Sequence, residues 1–317
     1  MSTVYFIAQQ TMYFAIPLLI VALGGMFAER SGIVNIALEG IMVVGAFFGI
    51  GFIHIFEYSM SGQTLLLLSV LISALAGAIF SLFHAFASIN LKANQVISGT
   101  ALNMFAPAFA VYTARMIQGV QQVQFRDTFY IRSVPILGDI PILGPILFKN
   151  AYITTYIGLL IALIAWFVIN HTRFGLRLRA CGEHPQAADS VGINVYHIRY
   201  AGVIISGLLA GIGGLTFVVP TSTNFNATVA GYGFLALAVL IFGQWRTKKI
   251  FVAAFFFGIM KTFASAYSGI PFLKGLPISN EVYKMIPYIA TLVVLTFSSK
   301  KSQAPRAEGI PYDKGSR

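Results

Sequence analysis

From near residue 5 to residue 298 the chain is a succession of apolar runs, most of them roughly 20 residues long, and no other property limits its fold so strongly. A run of that length placed in hydrocarbon must satisfy its own backbone, which only helices and closed barrels can do. Barrel strands are segments of about ten residues with alternating polarity. These runs are longer and continuously apolar, so the expected fold is an all-α, polytopic transmembrane helical bundle. Composition agrees: 57% of residues are hydrophobic and 10% are charged, where soluble domains carry about a quarter charged residues. About nine spans can be drawn, near 5–28, 33–55, 64–90, 95–117, 151–170, 199–219, 230–244, 250–269 and 282–298. One transmembrane domain, 1–298, therefore accounts for nearly the whole chain. Residues 299–317 are polar and rich in breakers, and read as a disordered basic tail.

The net charge of +11 does not point to nucleic acid, because the cations cluster in short loops as the positive-inside rule expects. The most basic loop is 171–199, with Arg173, Arg177, Arg179 and Arg199 against Glu183 and Asp189. If that loop is cytoplasmic, Arg30, Lys92, Arg246, Lys248, Lys249 and the tail Lys300, Lys301, Arg306, Lys314 and Arg317 fall on the same side. The amino terminus is then outside and the carboxyl terminus cytoplasmic. The first basic residue is Arg30, so no cleavable signal is evident and the first span is expected to be kept. A single cysteine, Cys181, excludes an internal disulfide framework. Residues 118–150 form the main external segment, with an end too proline-rich to span, expected to lie along the outer surface.

A weak internal repeat is visible. Gly24-Gly25 precedes Asn35, and Gly213-Gly214 precedes Asn224, at the same spacing. In the topology above the two units run in opposite directions, the inverted-repeat arrangement that places a substrate path between halves. Span 230–244 is about 22 Å of helix against roughly 30 Å of hydrocarbon, and short or broken spans often line such a path. Polar residues inside the spans have two readings each. Glu39 either caps or pairs structurally, with Arg30 the candidate partner, or lines a path. Lys261 either pairs or snorkels, or lines the path. Asn103, and Asn224-Phe225-Asn226 before the seventh span, put amides beside an aromatic ring, which suits a planar base with hydroxyls, but asparagine is also interhelical glue. His84 reads as an interhelical hydrogen-bonding residue.

The chain has no G-x-x-x-x-G-K-[ST] to cradle nucleotide phosphates, no metal-spaced His/Cys/Asp cluster and no nucleophile–base set, so a catalytic site is not expected. What carries information is the loop HTRFGLRLRACGEHPQAADSVGINVYHIR, 171–199. Pro185 suits a first helical position and Gly192 a helix stop, which predicts a short helix over 185–190. The order Gly175, Arg179-Ala180, Glu183, Ala187-Ala188, Gly192-Ile193-Asn194 resembles the coupling loop of ABC-importer permeases. The stretch Glu29–Gly49, with Asn35-Ile-Ala-Leu-Glu-Gly40, resembles the general nucleoside branch of the permease family that also serves sugars and branched-chain amino acids. With Gly231–Gly243 the resemblance covers nearly the whole chain.

The resemblance implies an importer permease whose loop, through Glu183, Pro185, Ala187, Ala188 and Gly192, docks on a cytoplasmic ABC ATPase. It implies a second permease subunit, identical or paralogous, and an extracytoplasmic lipid-anchored binding protein delivering nucleoside. It also implies no cofactor in this chain (ATP and Mg belong to the ATPase), a multi-pass place in a prokaryotic plasma membrane, and a dip of 29–40 into the membrane. The expected path residues are Asn35, Glu39, Asn103, Phe225 and Asn226. A ribose-type sugar is the alternative cargo, and a stand-alone secondary transporter is the rival that needs no ATPase.

Overall fold

A computed structural model describes residues 2–60, 62–125, 129–141, 143–266, 279–298 and 303–315. Its helices are α1 (Ser2–Arg30), α2 (Leu38–Phe56), α3 (Gly62–Ala85), α4 (Gln95–Gln118), α5 (Ile153–His171), α6 (Arg173–Glu183), α7 (Pro185–Ser190), α8 (Val195–Thr221), α9 (Tyr232–Phe242), α10 (Thr247–Ala266) and α11 (Asn280–Ser298). A π turn, Phe86–Asn90, prolongs α3. The architecture is all-α and polytopic. Among the described residues six helices, α1 to α5 and α8, are long and apolar enough to cross a bilayer. Each of the nine expected spans meets a helix, but they are not equal. α9 has 11 residues, about 16 Å of rise, and cannot cross alone. α10 carries Lys248, Lys249 and Lys261, and α11 carries Glu281 and Lys284. Lys300, Lys301 and the end of the expected span 250–269 lie outside the described residues.

α1 and α8 form the buried centre, whereas α4 and α5 turn most of their apolar surface outward. The two central helices run antiparallel in close contact: Gly24 lies against Ser206 and Leu209, Gly202 against Phe27 and Ser31, and Gly213 against Val21 and Pro17. Close approach also governs the other side of α8. A Cβ on Gly211 would strike the Ser73 carbonyl of α3, so α8 can sit against α3 only as glycine there. Small residues are what let helices associate where lipid removes the hydrophobic driving force. α2 and α3 cover one flank of the pair; α5, α9 and α10 cover the other.

The described residues of the segment 118–150 carry short strands. β2 (Tyr130–Ser133) pairs antiparallel with β3 (Lys149–Tyr152), and β1 (Val123–Gln124) pairs with β4 (Asn224–Phe225). Gln9 at the start of α1 donates to the Pro145 carbonyl at 2.7 Å, which folds this segment onto the end of the bundle.

The tail corrects the sequence reading. Residues 303–315 are not a free strand: the Ala307 N–H donates to the Gly182 carbonyl at 2.8 Å and the Gly309 N–H to the Gly32 carbonyl at 3.1 Å. Arg199 donates to the Ile310 carbonyl at 3.1 Å, and Tyr312 is buried with Cys181, Ala188 and Val195. The segment orders because α6, α7 and the end of α1 leave backbone acceptors and an apolar pocket that its carbonyls, amides and Tyr312 fill.

Candidate functional site

Two places concentrate polar groups where lipid-spanning helices ordinarily have none. The first is the break between α1 and α2. Residues 31–37 are not helical, yet Ser31, Ile33 and Asn35 are fully buried. A non-helical stretch at that depth needs partners for its backbone, and neighbouring helices supply them. His84 of α3 meets the Val34 carbonyl at 2.9 Å and Ser98 at 3.1 Å. Gln95 accepts from the Val34 N–H at 2.7 Å. Asn103 of α4 works both ways, donating to the Ile36 carbonyl at 2.8 Å and accepting from the Gly40 N–H at 2.7 Å. Asn35 donates to Ser206 of α8 at 2.8 Å, and its Oδ1 has no hydrogen-bond partner among the described residues.

Glu39 closes this junction. Its carboxylate accepts from the Gly231 N–H at 2.9 Å and the Gly233 N–H at 2.6 Å, so it caps the start of α9. This is the favourable place for an anion, where unpaired N–H groups and the helix dipole meet. Arg30 is not its partner: Arg30 donates to the Trp245 carbonyl at 2.9 Å and faces Glu183 at 3.8 Å. Arg30 reaches the turn that follows α9 while Glu39 holds its beginning, so the two stand at opposite ends of the 11 residues of α9, about 16 Å apart along the helix where a full crossing needs roughly 30 Å. α9 is thus a half-length helix that starts within the bundle. A Cβ at Gly233 would strike the backbone of Glu39, which is why α9 begins with glycine at this point.

Beside the junction a cavity of about 400 Å³ is lined by Gly231, Tyr232, Phe234, Lys261, Pro287 and Tyr288. The Lys261 ammonium lies 5.7 Å from the Tyr232 ring centre, so Lys261 is engaged with an aromatic face and also borders open space. Phe225 is buried in β4 opposite Val123, and Asn226 beside it is exposed. The structure therefore brings Asn35, Glu39 and Asn103 together at one junction and leaves Phe225 in the β1–β4 strand pair, with Asn226 just past it. Asn224, paired in sequence with Asn35, bonds Gln122 at 2.8 Å at the surface instead. Gln95, Ser206, Gly231 and Gly233 complete the junction and escaped sequence reasoning, since nothing in their spacing signals a partner so distant in the chain.

The second place is the basic loop. α7 spans Pro185–Ser190 with Pro185 in its first turn, and Gly192 takes φ +83°, as the sequence predicts. His184 caps it, accepting from the Ala187 N–H at 3.3 Å. The alanine pair faces two ways. Ala187 is exposed, together with Glu183 and Gln186, while Ala188 is buried at 3% exposure against Cys181, Val195 and Tyr312. Small size at Ala188 is therefore demanded by this chain's own packing, and the face open to another protein runs through Glu183, Gln186 and Ala187. Burial pushes the Cys181 thiol up to about 11. Below the loop lies Arg199, 1% exposed, whose Nε and Nη2 have no hydrogen-bond partner among the described residues and whose guanidinium lies 6.0 Å from the Tyr312 ring centre.

Comparison with known proteins adds the following. The family model for the permease component of the branched-chain amino acid transport system matches residues 7–295. The guanosine ABC transporter permease protein NupQ of Bacillus subtilis (strain 168) is 44% identical over 313 residues, covering 98% of this chain and 97% of that protein. The nucleoside ABC transporter permease protein NupC of Lactococcus lactis subsp. cremoris is 40% identical, covering 99% and 98%. The guanosine ABC transporter permease protein NupP of Bacillus subtilis (strain 168) is 26% identical, covering 89% of this chain and 78% of its own length. No solved structure matches.

Proposed function

Because the chain belongs to the family of branched-chain amino acid transport system permease components, we infer that it is the membrane-spanning permease subunit of an ATP-driven importer for nucleosides. The observation that carries this reading is the end-to-end match, at 44% and 40% identity, to permeases named for guanosine and nucleoside transport. The chain is a multi-pass plasma-membrane protein and not an enzyme; ATP hydrolysis belongs to a separate ATPase subunit. An ATPase and a substrate-binding protein are its partners.

Finer features are proposals. We place the carboxyl terminus and the loop 171–199 in the cytoplasm, where the basic residues lie. ATP and Mg are bound by the ATPase alone. The binding protein outside is lipid-anchored. The second permease is a paralogue rather than a copy, since two differently sized matches to this chain in Bacillus subtilis both bear the name guanosine permease. Of the nine helices that meet the expected spans, α9 is a half-span, and the glycine contacts that α1 and α8 make reciprocally support inverted halves.

Nucleoside crosses beside the junction where α9 begins. Asn35, Glu39 and Asn103 hold the broken segments that shape the path, and Phe225 and Asn226 stand at its outer end. On the cytoplasmic side the loop 171–199 passes ATPase closure inward: Glu183, Gln186 and Ala187 meet the ATPase, Pro185 and Gly192 bound the helix, and Ala188 anchors it to α8. Uptake of labelled guanosine, uridine and adenosine should fall when the gene is deleted and return with the wild-type chain. Loss of ribose or leucine uptake alone would transfer the cargo to another class.

A further inference from the structure

We propose that a cleft between the end of α5, the start of α10 and the tail binds an anionic phospholipid, with its phosphate among the cations and an acyl chain along α5. The cleft encloses about 920 Å³ and is lined by Arg30, Arg179, Arg246, Lys248, Lys249 and Arg306, six cations against one acid, Glu183. Arg30, Arg179 and Arg246 share this one lining, with Arg30 half-buried among them. Gathering like charges costs energy unless an anion offsets it; Glu183, at 3.8 Å, and Glu308 offset Arg30, while among the described residues no ion pair is made by Arg179, Arg246, Lys248, Lys249 or Arg306. A phosphate would supply what is missing.

A free anion explains only half of the site. Trp166, Thr247 and Lys248 also line a second space, an apolar groove of about 550 Å³ whose other walls are Leu159, Ala162, Leu163 and Phe251. The groove descends along the outward faces of α5 and α10, with Leu163 at 65% exposure. The Lys248 ammonium lies 5.9 Å from the Trp166 ring centre, which places a cation and an amphipathic ring at the boundary between the two spaces. A cationic head site opening onto an apolar groove has the shape of one molecule, an anionic phospholipid. Basic pockets between spans on the cytoplasmic side are where such head groups bind. A soluble ATPase could cover the cations but has no means of filling the groove.

Both tryptophans of the chain, Trp166 and Trp245, line the cleft, which supplies a probe. The complete importer is placed in nanodiscs of phosphatidylcholine with a rising share of phosphatidylglycerol brominated on its acyl chains. The Trp166 signal is taken as the difference between the wild-type complex and Trp166→Phe. Quenching should saturate with brominated phosphatidylglycerol, exceed that from brominated phosphatidylcholine, and persist in excess inorganic phosphate. Removing Arg246, Lys248 or Lys249 (each to Gln) should weaken it roughly fivefold per cation. Equal quenching by both lipids would reduce the groove to ordinary boundary lipid and overturn the proposal. Competition by phosphate would make it a free-anion site, and no quenching by either lipid would mean that another subunit fills the cleft; either result also overturns it. None of these readouts depends on the cargo.

Discussion

Replacing Glu39 with alanine should unseat α9 without touching the hydrophobic centre of the bundle. The carboxylate takes the N–H groups of Gly231 at 2.9 Å and Gly233 at 2.6 Å, with that of Phe234 beside them. Hydrogen bonds to a charged acceptor contribute about 1.5–3 kcal/mol each, and an anion at a partly buried helix start adds up to about 2 kcal/mol. Part of this is offset because the charge itself no longer has to be kept in the bundle. We expect a net loss of about 3–5 kcal/mol for Glu39→Ala. Glu39→Gln keeps one acceptor oxygen but turns an amide N–H toward a backbone N–H, and should lose about half as much. Gly233→Ala attacks the same contact from the other side, since its Cβ would strike the Glu39 backbone. Because the two residues touch, the double variant should lose less than the sum of the singles. The purified importer should melt of the order of 10 °C lower for Glu39→Ala, and labelled guanosine uptake should drop to background at unchanged ATPase copurification. Wild-type melting and uptake in Glu39→Ala would refute the reasoning, because the half-helix would then be held by something else.

Three further outcomes follow from the loop and tail. Ala187→Arg should release the ATPase on pull-down while leaving the permease melt within about 0.5 kcal/mol of wild type, as for an exposed substitution; Ala188→Arg, which forces a charge into this chain's own packing, should lower the melt and the abundance of the permease itself. Tyr312→Ala should destabilise the coupling region by roughly 3 kcal/mol, read as faster proteolysis within 171–199, because Tyr312 is 5% exposed and covers Arg199 and Cys181. Cys181 should resist thiol reagents even in permeabilised cells, since it is 0% exposed and its thiol is pushed up to about 11 from 9.0. Below both values the thiolate share falls about a hundredfold relative to an unperturbed thiol, so labelling at pH 8 should wait for unfolding, and rapid labelling of the native protein would contradict the buried placement.

Fold class was legible because hydrocarbon leaves few options: continuous apolar runs without alternation admit helices only. The helix over 185–190 was legible for local reasons, a proline where its missing N–H is harmless and a glycine where φ turns positive. Glu39 was noticeable as an acid among apolar residues, but its partner was not, since the N–H groups it takes belong to glycines nearly two hundred positions later and any residue can offer an N–H. The same limit hid the direction of the alanine pair. Which of Ala187 and Ala188 faces inward depends on how α7 leans on α8 and on Tyr312, and the tail reads as polar and broken when its few anchors are averaged over the segment. Asn35 and Asn224 share a spacing after their glycine pairs yet part company in the fold, because α1 leads into a buried break and α8 into a surface strand.

The central claim is that this chain is the permease of an ATP-driven nucleoside importer. The complex of this chain, its permease partner and the ATPase should be reconstituted in liposomes with ATP enclosed on the ATPase side, and guanosine accumulation followed on adding the binding protein. Accumulation that requires both ATP hydrolysis and the binding protein, and that stops when guanosine is replaced by ribose, is the predicted result. Accumulation by this chain alone, driven by an ion gradient and indifferent to ATP, would contradict it.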